Sequence, residues 1–232
     1  MRRFLLCLSM LVPLFAMAQF NIDRLIMIGR SALYYEDYVL SIQYFNQAVT
    51  AKPFLYEPWF FRGVAKFYLD DYVGAENDCS EAIKRNPYVT GMYELRALCR
   101  IRQKKFDDAI SDYDMSIKYD PTSRGLWYNR VLCRIENKDF DRANSELDSM
   151  MVRWSDYSKV YSLKAEVCLM QKDTICGAQY LDKSLEIDPY DGETWTVRAM
   201  ISLSRKQWRD ADEQLGKAIH LKPNAVGNYV NR

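Results

Sequence analysis

A chain of 232 residues that is 49% hydrophobic and 27% charged has enough apolar material for a sizeable core, which sets aside a disordered polymer. Its formal charge is +1, and loss of a leader carrying Arg2 and Arg3 takes it to −1, so no global attraction to nucleic acid or anionic lipid is written in. With one histidine and six scattered cysteines, the metal-site spacings of paired Cys and His are missing.

Residues 1–18 read as a secretory signal. Arg2 and Arg3 form the positive end, Phe4 to Phe15 the apolar stretch, and Ala16-Met17-Ala18 a small-x-small cleavage site before Gln19. The apolar run is too short to span a bilayer comfortably. Cys7 lies early in that run rather than at its end, which speaks against a lipid anchor. The expectation is an exported chain, periplasmic or otherwise extracytoplasmic, whose mature part has no membrane span.

Beyond the leader, Pro53, Pro87, Pro121, Pro189 and Pro223 are spaced by 34 residues, or by twice 34 where Ser155 fills a rung. Paired helices are predicted in step with that ruler. They fall at about 22–34 and 37–51, 56–68 and 71–85, 90–102 and 105–119, 124–136 and 139–153, 158–170 and 173–187, 192–204 and 207–221. Each ladder proline ends a second helix, because proline disfavours helical geometry in the residue before it and cannot continue the bond ladder. Pro58 is tolerated in a first turn. The fourth pair lacks its proline, so the helix through Met150 and Met151 is free to run on or end loosely, with Trp154 packing on the next pair. The sequence stops at Arg232, early in a seventh unit (226–232), as expected of a fragment of a longer protein.

Side-chain columns keep the same period. Counting from residue 22, the fourth place holds Leu25, Trp59, Tyr93, Trp127, Tyr161 and Trp195. The eighth holds Gly29, Gly63, Ala97, Val131, Ala165 and Ala199, and the twentieth holds Ser41, Ala75, Ala109, Ala143, Gly177 and Ala211. Bulky knobs and small contact residues at a fixed 34-residue spacing resemble the tetratricopeptide repeat family. The resemblance covers residues 22–223 as repeats 22–55, 56–89, 90–123, 124–157, 158–191 and 192–225. It implies an all-α fold, a right-handed superhelical solenoid of about six helix-turn-helix repeats.

Two sets of columns are candidates for function. The seventh place carries Arg62, Arg96, Arg130, Lys164 and Arg198, and the twenty-third answers with Asp78, Asp112 and Glu146. Bridges from Arg62 to Asp78, Arg96 to Asp112 and Arg130 to Glu146, between the two helices of one hairpin, are expected. The fifth, ninth and twelfth places point about 140° away from the buried face of the first helix. In the family that second face lines the concave groove. Here it reads Phe60, Val64, Phe67, then Glu94, Leu98, Ile101, then Tyr128, Leu132, Ile135, flanked by Tyr68. The Lys, Asn and Arg of the family's carboxylate clamp are missing, since the fifth place holds Ile26, Phe60 and Glu94 and the ninth holds Arg30, Val64 and Leu98.

The expected ligand is therefore an apolar or amphipathic protein segment, bound through Phe60, Val64, Phe67, Tyr68, Glu94, Leu98, Tyr128 and Leu132. No cofactor is called for, and no catalytic constellation or phosphate loop is found, so the chain is not expected to be an enzyme. Cys168 and Cys176 flank the turn of the fifth hairpin and can form a disulfide in an oxidising compartment. The function so read is an interaction scaffold of the cell envelope. Two alternatives stand beside it: an adaptor domain at the head of a longer protein, and a solenoid that self-associates through its end faces.

Overall fold

The computed structural model describes residues 22–225 and 227. The leader at 1–18 and the start of a seventh repeat at 226–232 lie outside the described residues, Gly227 apart. All regular structure among the described residues is helical. The chain divides into two units, Met1–Cys133 and Arg134–Arg232, and each is taken by itself below.

The first helices of the hairpins are α1 (22–34), α3 (Tyr56–Tyr68), α5 (Thr90–Arg102), α7 (Arg124–Glu136), α9 (Ser158–Met170) and α11 (Gly192–Ser204). The second helices are α2 (Tyr38–Ala51), α4 (Tyr72–Arg85), α6 (Phe106–Tyr119), α8 (Phe140–Arg153), α10 (Thr174–Ile187) and α12 (Trp208–Leu221). Each second helix starts one residue after the position read from the sequence, because that residue is its N-cap. Asp37, Asp71 and Asp173 accept from the amides of Leu40, Gly74 and Cys176 at 2.9–3.0 Å. Lys105 and Gln207 stand at the same place and cap nothing with their side chains.

The turn inside each hairpin has a feature that residue types conceal. Glu36, Asp70, Lys104, Lys138, Lys172 and Lys206 all adopt φ between 60° and 64°, the left-handed conformation. The residue after each donates its amide back across the turn, as Lys105 does to the Arg100 carbonyl at 2.8 Å. With the bond from the turn residue itself, Lys104 to the Ile101 carbonyl at 2.9 Å, it satisfies two of the orphaned carbonyls of the first helix.

Second helices end at one place whether or not proline follows. The α8 helix stops at Arg153, and the Trp154 amide donates to the Met150 carbonyl at 2.8 Å, as Lys52 does to Ala48 and Asp120 to Ser116. The absent proline thus neither lengthens nor loosens this helix. Trp154 is half-buried, with the Arg153 guanidinium 4.7 Å over its ring.

The columns of small residues explain how closely the helices approach. Every residue of the eighth and twentieth places is buried, from Gly29 and Ser41 to Ala199 and Ala211. A Cβ built on Gly29 would lie 2.9 Å from the Phe45 ring, and the Ser41 hydroxyl donates to the Gly29 carbonyl at 3.0 Å. In the first unit, Ala75, Cys79, Leu95 and Cys99 form one cluster, and Ala97, Ala109, Tyr113 and Cys133 the next. In the second unit, Ala165, Ala178, Leu181 and Ile201 make the corresponding core. Cys168 and Cys176 are joined in a disulfide, their Cα atoms 5.9 Å apart, which staples α9 to α10. Cys79, Cys99 and Cys133 are buried thiols outside any disulfide, and burial pushes the Cys99 thiol up to about 12.

Candidate interaction surface

The seventh-place cations lie between two hairpins. Arg62 grips Asp78 of its own hairpin through two bonds of 2.8 and 2.6 Å, while its third nitrogen donates to Asn46 of the preceding hairpin at 2.8 Å. Arg96 repeats the pattern with Asp112 at 2.6 Å and Ser80 at 3.1 Å. Arg130 donates to Asp114, Lys164 to Asp148 at 2.6 Å, and Arg198 to Asp182 at 2.6 Å. These last three carboxylates, like Asn46 and Ser80, lie 16 residues before their cation, at the twenty-fifth place of the preceding hairpin. Attention to the twenty-third place alone misses this column, although Asp114, Asp148 and Asp182 share the 34-residue spacing. Glu146, in the second unit, accepts from Arg134 at 3.0 Å.

Asp78 and Asp112 are almost fully buried and carry second cations, Lys66 at 2.8 Å and Arg100 at 2.7 Å. Arg100 also reaches Glu76 at 3.0 Å. Burial works to raise Glu76, but hydrogen bonds from Lys105, Arg100 and Gln103 prevail and hold it below the usual carboxylate range. These charges are spent on holding helices together, so no basic stripe is left here for an acidic ligand.

On the face expected to line a groove, the side chains divide by packing. Phe60, Val64 and Phe67 are half-buried against Ala75, Cys79, Leu95 and Cys99, and so belong partly to the core. Tyr128 and Leu132 are half-buried as well. Leu98 is 41% exposed and Tyr68 is 59% exposed. Glu94 stands between these apolar neighbours in the fifth-place column, half-buried and with no hydrogen bond or ion pair among the described residues. Burial first, then the Asp120 carboxylate, push Glu94 above its ordinary value.

At one end of the first unit the surface opens into a cavity of about 460 Å³, whose wall includes Arg30, Tyr34, Tyr38, Phe61, Val64 and Tyr68. In the second unit, a cavity of about 610 Å³ over α11 and α12 is lined by Tyr190, Trp195, Lys217 and His220. Among the described residues no cluster of His, Cys, Asp and Glu is arranged to hold a metal ion. No described helix is long and apolar enough to cross a membrane.

No protein-family model matches the chain, and no curated protein matches it in sequence. Solved structures do. PilF of Pseudomonas aeruginosa aligns with a TM-score of 0.67 at 11% identity, over 92% of this chain and 97% of that one. PilW, a widely conserved type IV pilus biogenesis factor, aligns at 0.69 and 13% identity, over 90% and 97%. YrrB, a tetratricopeptide repeat protein with an unusual peptide-binding site, aligns at 0.54 and 11% identity, over 80% and 96%. At these identities the likeness establishes the fold: an all-α helical repeat solenoid of the tetratricopeptide type.

Proposed function

We propose that the chain is a non-catalytic interaction scaffold of the cell envelope, holding an apolar or amphipathic partner segment on the first-helix face of its second to fourth hairpins. The observation that carries this reading is Leu98, 41% exposed in a strip where Phe60, Val64, Tyr128 and Leu132 are only half-covered by the chain itself. Apolar side chains arranged in a strip and left open are a common mark of a binding surface. The seventh-place charges are taken up by carboxylates of their own and the preceding hairpin, which leaves shape and apolar area as the means of recognition on this face. The leader sequence supports an extracytoplasmic setting, and so does the likeness to a pilus biogenesis factor. The likeness to YrrB, with its unusual peptide-binding site, supports a peptide-like ligand.

The test uses Leu98→Arg, because a substitution at so exposed a site costs about 0.5 kcal/mol or less. The mature chain, immobilised in envelope extract of its source, is expected to retain a partner that the variant loses at unchanged helicity. An identical set of bound proteins for both would contradict the reading.

A further inference from the structure

The cavity in the first unit has a chemistry of its own. Tyr38 and Tyr68 stack face to face, with ring centres 5.0 Å apart and planes within 8°. Tyr34 beside them is 81% exposed. The Arg30 guanidinium lies 4.9 Å over the Phe61 ring and is bonded to no carboxylate among the described residues. We propose that this cavity binds a proline-rich, lysine-bearing extended segment of a partner protein.

Three observations lead there. The hydroxyls of Tyr34, Tyr38 and Tyr68 make no hydrogen bond among the described residues, whereas those of Tyr72, Tyr93 and Tyr161 each donate to a nearby oxygen. Open phenols on flat apolar rings can donate to a ligand's carbonyls while the rings cover its side chains. The turn amides of the wall are already satisfied: Tyr35, Glu36 and Asp37 donate to Ser31, Leu33 and Ala32 at 2.9–3.1 Å. No strand edge is offered, so a ligand's own amides would find no row of backbone acceptors to replace water, only the side-chain oxygens of the tyrosines and Glu36. Proline has no amide to lose, and its chain is preformed as an extended helix that docks on aromatic grooves.

Charge selects the rest of the ligand. Glu36 is on the wall, and Asp37, Asp70 and Asp71 sit in the two turns that frame the tyrosine pair. Against these four carboxylates the wall offers one cation, Arg30, whose donors suit carbonyl oxygens. Lysines on the ligand would meet the acidic rim. This site shares Val64 with the strip proposed above but needs neither Leu98 nor Tyr128, so the two can fail separately.

Calorimetric titration of the mature chain decides it, with a peptide of repeated Lys-Pro-Pro triplets, its Lys-Ala-Ala counterpart of equal charge, and cellohexaose. Saturable binding of the proline peptide alone is expected. Tyr38→Phe with Tyr68→Phe keeps the stack, removes two donors, and should weaken binding about tenfold at an unchanged melting curve. Leu98→Arg should leave it unchanged. Absence of binding, equal binding of the alanine peptide, full binding by the double Phe variant, or uptake of the saccharide instead would overturn the proposal.

Discussion

Tyr93 shows how two columns of the sequence are one physical device. Its hydroxyl donates to the Pro87 carbonyl at 3.0 Å, six residues earlier. Trp59 reaches Pro53 at 3.0 Å, Trp127 reaches Pro121 at 3.1 Å and Trp195 reaches Pro189 at 2.9 Å, each through its indole N–H. Tyr161 bonds the Ser155 carbonyl at 3.3 Å, so the acceptor is backbone and the rung works without proline. That is why Trp and Tyr alternate at this place and Phe does not appear. Replacing Tyr93 by Phe keeps the buried ring and removes one bond, so urea unfolding is expected to show a loss of about 1 kcal/mol. The left-handed turn residues make the opposite case. At Lys104, with φ of 61°, a side chain bears a strain that glycine escapes. Lys104→Gly is expected to stabilise by about 1 kcal/mol, whereas in the middle of a helix the same change destabilises. No residue type marks this place, since Glu, Asp and Lys all occupy it, so the sequence shows a polar turn and not its geometry.

The elements themselves were legible because two signals share the 34-residue period. Proline or its rung marks the end of the second helix, and small residues recur where Gly29 and Gly63 meet the facing helix. Bridges between elements were read only in part. Arg62 and Arg96 do reach Asp78 and Asp112, yet their bonds to Asn46 and Ser80 run backward, and at those positions the residue types gave no charge to notice. Two elements carry testable consequences. On α5, Glu94 is held above its ordinary value, so its ionised form costs stability at neutral pH; that cost vanishes as pH falls through the raised folded value to the unfolded one of about 4.3. Glu94→Gln should therefore melt higher than the parent at pH 7 and alike below about pH 4. Between α9 and α10 the disulfide closes a short loop, with a sequence separation of 8. Reduction should lower the stability of the second unit by about 2–3 kcal/mol, and a Cys168→Ala/Cys176→Ala variant should not respond to reductant.

At the scale of the whole molecule, what could be read was the repeat, because a period needs no partner and no alignment to be seen. What could not be read was which apolar side chains remain open. Phe60 and Leu98 look alike as residues on one helix face, but packing places the first against a core cluster and leaves the second 41% exposed. The free phenols of Tyr34, Tyr38 and Tyr68 were hidden for the same reason, since burial is decided by neighbours a hairpin away. Within each unit, the hairpins that pack on one another are sequence neighbours, so stability should be a sum of local contributions. Deleting residues 192–232 removes one hairpin at a rung of the ladder, and far-UV circular dichroism in urea reads the result. The expected outcome is a chain that keeps the helicity of the remaining hairpins and unfolds at a lower midpoint. Loss of helicity to the unfolded level would contradict the account.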